Sequence, residues 1–301
     1  MKLLFNAEHR LRNGWWMLIF VALVAATRPV YGLLSRSLTQ VGADDAWREP
    51  LPFVLVLLVT WACLRLRGQP LSSVGYRIDR RWLQQLGLGM ALGMGSLLLA
   101  ALMIMATGAV TFEADPGRSL GILAYGLYLF AFVALLEETL FRGFLFQRLV
   151  DGAGVWFAQI ALAVLFALGH WDNPGMDGVT KLVASVELAL AAIMLGLAYL
   201  RTRSLALPIG LHLGWNWAGG HVLGFGVSGL DHQGWLRPVF HDRAGWLSGG
   251  EFGPEASVFG IVADLVLIGL LWRWKGLSAA PLGDTRVAPS ATAPGVPASA
   301  T

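Results

Sequence analysis

Eight stretches of mainly apolar residues alternate with short polar segments along the chain. A helix needs about 20 mainly apolar residues to cross the hydrocarbon core of a bilayer. The stretches cover residues 14–34, 50–66, 82–107, 119–146, 155–171, 181–200, 205–225 and 256–274. The first is the weakest of them, because Arg28 and Pro29 interrupt it. The pattern predicts an all-α, polytopic membrane protein with about eight transmembrane helices.

The composition supports a membrane protein. Hydrophobic residues make up 56% of the 301 residues and charged residues 14%, whereas charged residues make up about a quarter of soluble domains. The net charge is +3, but the basic residues flank apolar stretches, as topology signals do, so we expect no nucleic-acid partner. The single cysteine, Cys63, excludes an intrachain disulfide and a thiolate metal cluster.

The distribution of basic residues predicts the orientation. If the N-terminus is cytoplasmic, the inner segments hold 15 of the 22 lysines and arginines. The outer segments then hold most of the loop acids, and residues 226–255 form one long external loop. This bias fits the positive-inside rule with both termini in the cytoplasm. We predict an integral protein of a bacterial inner membrane.

Two adjacent acids, Glu137 and Glu138, lie inside an apolar run. Ionisable residues within a transmembrane segment indicate a functional site, because burying them there is costly. Arg142 follows Glu138 by four residues, so the two lie on one helix face and can pair. Glu137 is left without a counter-charge and is the better candidate for a general base.

Two later segments add histidines and a carboxamide. A tight turn at 151–154 predicts an antiparallel helix pair. Glu137 lies about 15 residues before the turn and His170 about 17 after it, which at 1.5 Å per residue puts them at one depth. His212 and Asn216 are four residues apart and share one helix face. Together these side chains can activate a water molecule and stabilise an oxyanion.

Simpler interpretations remain open for each residue. A Glu-Arg pair at this spacing is often a structural salt bridge, a lone histidine often bonds to a carbonyl, and an asparagine often joins helices. Glu187 and Asp264 have no motif around them and are expected to be packing or hydrogen-bonded residues. For the whole protein, the alternatives to an enzyme are a proton-coupled transporter and a non-catalytic scaffold or bacteriocin-immunity factor.

The ordered set Glu-Glu-x-x-x-Arg (137–142), Phe-x-x-x-His (166–170) and His-x-x-x-Asn (212–216) resembles the CPBP family of intramembrane proteases, which includes the type II CAAX prenyl endopeptidases. Residues 196–209, which lead into His212, are also similar to that family. The resemblance implies an endopeptidase with an active-site cavity inside the helix bundle, which is polar and opens toward the cytoplasm. The implied substrate is a peptide or protein at the membrane, and in eukaryotic members it is prenylated.

The resemblance also implies a role for each site residue. Glu137 would activate the water with help from His170, while His212 and Asn216 would stabilise the oxyanion. Glu138 and Arg142 would hold the helix and the substrate end in place. Glu137, His170 and His212 are candidate ligands for a divalent metal such as zinc. No His-Glu-x-x-His occurs in the chain, so metal is left open with a slight preference for none.

These expectations divide the chain into five parts. They are helices one to three (1–118), the CPBP-like catalytic helices (119–225), the external loop (226–255), the last transmembrane helix (256–277) and a disordered tail rich in Ala, Pro, Ser and Thr (278–301).

Overall fold

The computed structural model describes residues 4–5 and 11–275 and is mostly helical. The helices are α1 (Asn13–Gln40), α2 (Pro50–Leu66), α3 (Arg80–Ala106), α4 (Leu120–Glu138), α5 (Leu145–Ala153), α6 (Val155–Gly169), α7 (Gly178–Thr202), α8 (Ala206–Trp217), α9 (Gly245–Ser248) and α10 (Val258–Arg273). Strands β1 (Val110–Ala114) and β2 (Leu236–Phe240) pair antiparallel. Every predicted apolar stretch contains a helix. The predicted tail, 278–301, lies outside the described residues.

Five helical stretches of the described chain are long and apolar enough to cross a membrane, so the protein is a polytopic membrane protein. They are Asn13–Gln40, Asp45–Leu66, Arg80–Ala106, Leu120–Ala153 and Gly178–Thr202. The first runs without a break through Pro29, although the sequence makes it the weakest prediction. Helices α6, α8 and α10 have 15, 12 and 16 residues. They are shorter than a full span, so a total of eight passes stays a prediction.

Side-chain caps fix where several helices begin. The Asp79 carboxylate accepts a hydrogen bond from the backbone N–H of Trp82 at the start of α3. Ser119 and Ser257 do the same at the starts of α4 and α10. Each cap satisfies a backbone donor that the first turn leaves unpaired. The polar loops therefore end, and the apolar helices begin, at defined residues.

Helices α3 and α8 approach each other closely through glycines. A Cβ atom on Gly93 would lie 2.1 Å from the Leu211 carbonyl oxygen, and one on Gly214 would lie 2.2 Å from that of Met90. Gly89 and Gly210 form the same kind of contact one turn away. Small residues let helix backbones pack tightly in membranes. This packing fixes α8, which carries His212, against the middle of α3.

The helix that begins at Leu120 changes geometry just after the paired acids. Residues Thr139–Phe144 form a π-helical segment between α4 and α5, with Gly143 at a non-helical ψ of −121°. Such segments are rare and occur often at functional sites. After α5 the chain turns at Gly154, which has a positive φ of 88°, and α6 packs back on α5. The antiparallel hairpin predicted from the turn is present.

A side chain larger than glycine at the α3–α8 contact should lower the stability of the protein. Gly93→Ala should destabilise the protein by about 1–3 kcal/mol, because the added methyl group forces two packed backbones apart. Gly95→Ala is the matched control, since nothing lies within 4 Å of a Cβ atom there. Thermal unfolding in detergent measures the difference. Equal midpoints for the two variants would contradict the close approach.

Candidate active site

A buried cluster of three charged or chargeable side chains joins α4, the π-helical segment and α8. Glu138 Oε1 lies 3.0 Å from Arg142 Nη1 and 3.1 Å from His212 Nδ1. Arg142 also donates through Nη2 to the Ala192 carbonyl of α7 at 3.0 Å. The side chains of Glu138 and Arg142 are 0% and 3% exposed. The pairing of Glu138 with Arg142 follows the predicted spacing, whereas the bond from Glu138 to His212 was not predicted.

Glu137 occupies a different environment from Glu138. Its side chain is 24% exposed, and its Oε2 atom lies 3.9 Å from His212 Nε2, which is too far for a hydrogen bond. Within the described part of the chain, this buried Oε2 atom has no hydrogen-bond partner. One carboxylate oxygen of Glu137 therefore lies beside the His212 ring without a hydrogen bond from any described residue.

Hydrogen bonds at Nδ1 orient the rings of His170 and His212. The Phe166 carbonyl lies 2.8 Å from His170 Nδ1, and a carbonyl only accepts, so Nδ1 carries the proton. Glu138 Oε1, which also accepts from Arg142, likewise accepts from His212 Nδ1–H. In a neutral ring this leaves Nε2 without a proton, because only one nitrogen is then a donor. Nε2 is the nitrogen of each ring that is free to act on a ligand.

A cavity of about 270 Å³ lies inside the helix bundle. Four of the six predicted site residues line it, namely Glu137, His170, His212 and Asn216. Glu138 and Arg142 do not line it and lie buried behind its wall. Glu137 and His170 reach the same cavity from the two arms of the hairpin, which agrees with their predicted common depth. The volume is enough for several water molecules or a short peptide segment.

The structure adds three carboxyl groups that the sequence did not place at the site. Glu187 of α7, Asp264 of α10 and Glu255 of the preceding loop all line the cavity and are almost fully buried. One oxygen each of Glu187 and Asp264 has no hydrogen-bond partner among the described residues. No motif surrounds these residues, so their common location depends on helix packing that sequence spacing does not reveal. Glu187 and Asp264 were expected to be packing or hydrogen-bonded residues; both are buried, and their place at the cavity was not predicted.

The segment between α8 and α10 covers the cavity. Ser228 donates both its backbone N–H and its hydroxyl to Glu255 Oε2, each at 2.8 Å. Asn173, in the loop after α6, donates to the Ser228 carbonyl at 2.9 Å. Burial raises the pKa of Glu255, and the bonds from Ser228 act in the opposite direction. The predicted external loop is therefore part of the site.

The three candidate metal ligands are not arranged as a metal site. Over residues 4–5 and 11–275, no group of three or more His, Cys, Asp or Glu side chains could hold a metal ion. Glu137, His170 and His212 line one cavity, but among the described residues they do not come together as a group that could hold a metal ion. We therefore derive no step through a metal.

Comparison with known proteins gives one family. Residues 119–218 match the family model described as type II CAAX prenyl endopeptidase Rce1-like. The matched range holds all six predicted site residues and ends within the helical run that begins at α8. Neither the curated proteins nor the solved structures that were compared give a match.

The buried cluster generates a second prediction. Arg142→Met should destabilise the protein by about 3–5 kcal/mol, because it leaves the buried Glu138 carboxylate without its cation. Adding Glu138→Gln removes that charge and should restore part of the loss, as measured by unfolding in detergent.

Arg118→Met is the control for this experiment, since Arg118 is exposed. An Arg142→Met variant as stable as the Arg118→Met variant would contradict the buried pair.

Proposed function

We propose, from the membership of residues 119–218 in the Rce1-like type II CAAX prenyl endopeptidase family, that the protein is an intramembrane endopeptidase. It hydrolyses a peptide bond of a membrane-associated substrate. The observation that carries the proposal is that Glu137, His170, His212 and Asn216, from α4, α6 and α8, meet at one cavity. The proposal includes eight membrane passes, a bacterial inner-membrane location and cytoplasmic termini.

Glu137 acts as the general base. Its side chain lines a cavity that has room for water, and its only ion-pair contact among the described residues is the 3.9 Å approach of Oε2 to His212 Nε2. A carboxylate in this position takes a proton from a water molecule as the water attacks the scissile carbonyl carbon. The proton then passes to the leaving amine, and the peptide C–N bond breaks.

His170 assists this proton transfer. Its Nδ1–H is held by the Phe166 carbonyl, so its Nε2 atom is the acceptor that remains for the water or for the proton in transit. The ring also packs on Phe166, with ring centroids 4.8 Å apart, which restricts its rotation. A fixed acceptor at the same cavity as Glu137 shortens the path of the proton.

His212 and Asn216 stabilise the negative oxygen of the tetrahedral intermediate. To donate from Nε2, the His212 ring has to carry protons on both nitrogens, and the carboxylates of Glu137 and Glu138 on its two sides stabilise that charge. Asn216 supplies an amide N–H one helical turn away on the same face. Donors fixed before the reaction stabilise the charge that develops on the oxygen.

Glu138 and Arg142 are positioning residues in this mechanism. Neither lines the cavity, so neither reaches the reacting atoms. Glu138 orients the His212 ring through Nδ1, and Arg142 holds Glu138 while it is bonded to the Ala192 carbonyl. The resemblance implied that these two residues hold the helix and the substrate end in place. Their contacts support a role in holding the helix and in orienting His212.

Glu137→Gln tests the proposal. This variant keeps the size and hydrogen bonding of the side chain but removes the base, so cleavage should fall at least about 100-fold. The measurement compares C-terminal peptides of membrane proteins from cells with wild-type protein and cells with the variant, followed by cleavage of an identified peptide by purified protein.

The matched control is Glu251→Gln, which changes an exposed glutamate outside the cavity lining and should cleave as fast as wild type. Equal cleavage by the Glu137→Gln variant would contradict the role of Glu137. No cleavage by wild-type protein of any membrane peptide would favour the scaffold. Substrate-driven ion flux in liposomes would favour the transporter.

A further inference from the structure

We propose that the cavity receives its substrate from the extracytoplasmic side of the membrane. The inference rests on the proposed function and names its substrate class. The substrate is a polypeptide segment exposed at the outer face, in an exported or membrane-anchored protein, and not a lipidated C-terminus in the cytoplasm.

The helix ends gather at two opposite ends of the bundle. The first, here called the basic end, contains the loops 67–79 and 203–205, which are joined by the bond from Leu205 N–H to the Gly75 carbonyl. It also contains the end of α10, where Arg201 donates to the carbonyls of Leu271 and Trp272.

The opposite end, here called the loop end, contains the segments 41–49, 107–119, 170–177 and 223–257. The pairing of β1 with β2 joins the second of these to the fourth. The bond from Asn173 to the Ser228 carbonyl joins the third to the fourth. The bond from Tyr128 in α4 to the Ala46 carbonyl places the first segment at this end as well.

Charge distinguishes the two ends. Between positions 65 and 81 at the basic end there are five arginines and one aspartate, and Arg201, Arg203, Arg273 and Lys275 lie at the ends of α7 and α10. The four segments of the loop end hold eleven Asp and Glu residues and four arginines. An excess of Lys and Arg in short loops marks the cytoplasmic side of a membrane protein. The basic end is therefore cytoplasmic and the loop end extracytoplasmic.

The cavity extends from the catalytic residues toward the loop end. Its wall includes Asn173, Ser228, Leu230, His232 and Glu255, all of which belong to segments of the loop end. Leu230 is 55% exposed, so the wall continues to the protein surface at this end. No residue of the loops 67–79 or 203–205 lines the cavity.

Packed side chains block access to the cavity from the basic end. Thr139, Arg142, Phe144 and Phe146 follow the catalytic acids along the chain toward the basic end, and each is at most 2% exposed. Tyr76, from the cytoplasmic loop 67–79, donates to the Thr139 hydroxyl, which itself donates to the Leu135 carbonyl. A polypeptide coming from the cytoplasm would have to displace this packed layer.

The cavity also lies between α4 and α6, each of which packs mainly on other helices. Its wall includes Leu129 and Val133 of α4 and Phe166 of α6. Helix α4 packs mainly on α2 and α8, whereas α6 packs on α5 and α7. The two arms of the hairpin meet at the basic end, so the separation between them lies toward the outer leaflet. A membrane-anchored segment can reach the catalytic residues from that side.

This arrangement makes two sequence expectations incompatible. The loop 226–255 was expected to be external, and the resemblance implied a cavity open to the cytoplasm. Residues of that loop line the cavity, so the loop and the entrance lie on the same side. The charge distribution supports an external position for the loop. Under this proposal the cavity therefore opens to the extracytoplasmic side and not to the cytoplasm.

Cysteine accessibility tests the side of entry independently of catalysis. The native Cys63 is fully buried and is replaced in a Cys63→Ala background. Leu230→Cys at the cavity mouth and Ser72→Cys in the loop 67–79 are then treated with a membrane-impermeant maleimide in spheroplasts. Leu230→Cys should be labelled as fully as after permeabilisation, and Ser72→Cys should be labelled only after permeabilisation. Asp231→Cys, at an exposed neighbouring position, replaces Leu230→Cys if that variant does not fold.

Labelling of Ser72→Cys but not of Leu230→Cys or Asp231→Cys in spheroplasts would overturn the proposal, as would equal labelling of the two ends. These outcomes do not depend on peptide cleavage. A correctly oriented protein that cleaves nothing would refute the proposed function alone. A protein that cleaves peptides but has the reverse orientation would refute this inference, together with the cytoplasmic termini, and would leave the endopeptidase assignment intact.

Discussion

The contact of one Glu138 oxygen with both Arg142 and His212 is the interaction on which the rest of the site depends. Removing charged groups from water costs several kcal/mol per ion, and only well-formed pairing and hydrogen bonds offset this cost. Because Glu138 and Arg142 are almost completely buried and pair along one helical run, a rotation of α8 against α4 would remove the His212 ring from this pair. The cluster therefore fixes the direction of the His212 ring, and with it the position of Nε2 beside Glu137.

The surrounding helix packing determines where in the bundle this cluster lies. Glycines at the α3–α8 contact bring α8 against the middle of α3, so His212 is distant from both ends of that helix. The π-helical segment after Glu138 changes the direction of the chain, and from it Arg142 reaches the Ala192 carbonyl of α7. Packed residues lie between the cluster and the basic end, and residues of the loop end line the cavity. Under the two proposals, this one arrangement accounts for both the catalytic geometry and the side of entry.

Local features could be predicted from the sequence, whereas contacts between distant segments could not. Apolar length predicts the helices other than α5 and α9, the spacing of Glu138 and Arg142 predicts their pair, and the turn before α6 predicts the antiparallel hairpin. The contact of Glu138 with His212 depends on how two helices are rotated against each other. The gathering of Glu187, Glu255 and Asp264 depends on α7, α10 and a loop packing together, which no spacing along the chain encodes. The loop 226–255 has no strong helical pattern, so its role as a cover of the cavity was not predicted.

The most direct test of the account is an experimental structure of the wild-type protein in lipid nanodiscs, at a resolution that places the side chains of α4 and α8. The account predicts that Glu138 lies within hydrogen-bonding distance of both Arg142 and His212 Nδ1, and that His212 Nε2 is turned toward Glu137 across a water-filled cavity. A Glu138 carboxylate that faces lipid, or a His212 ring turned away from Glu137, would contradict it.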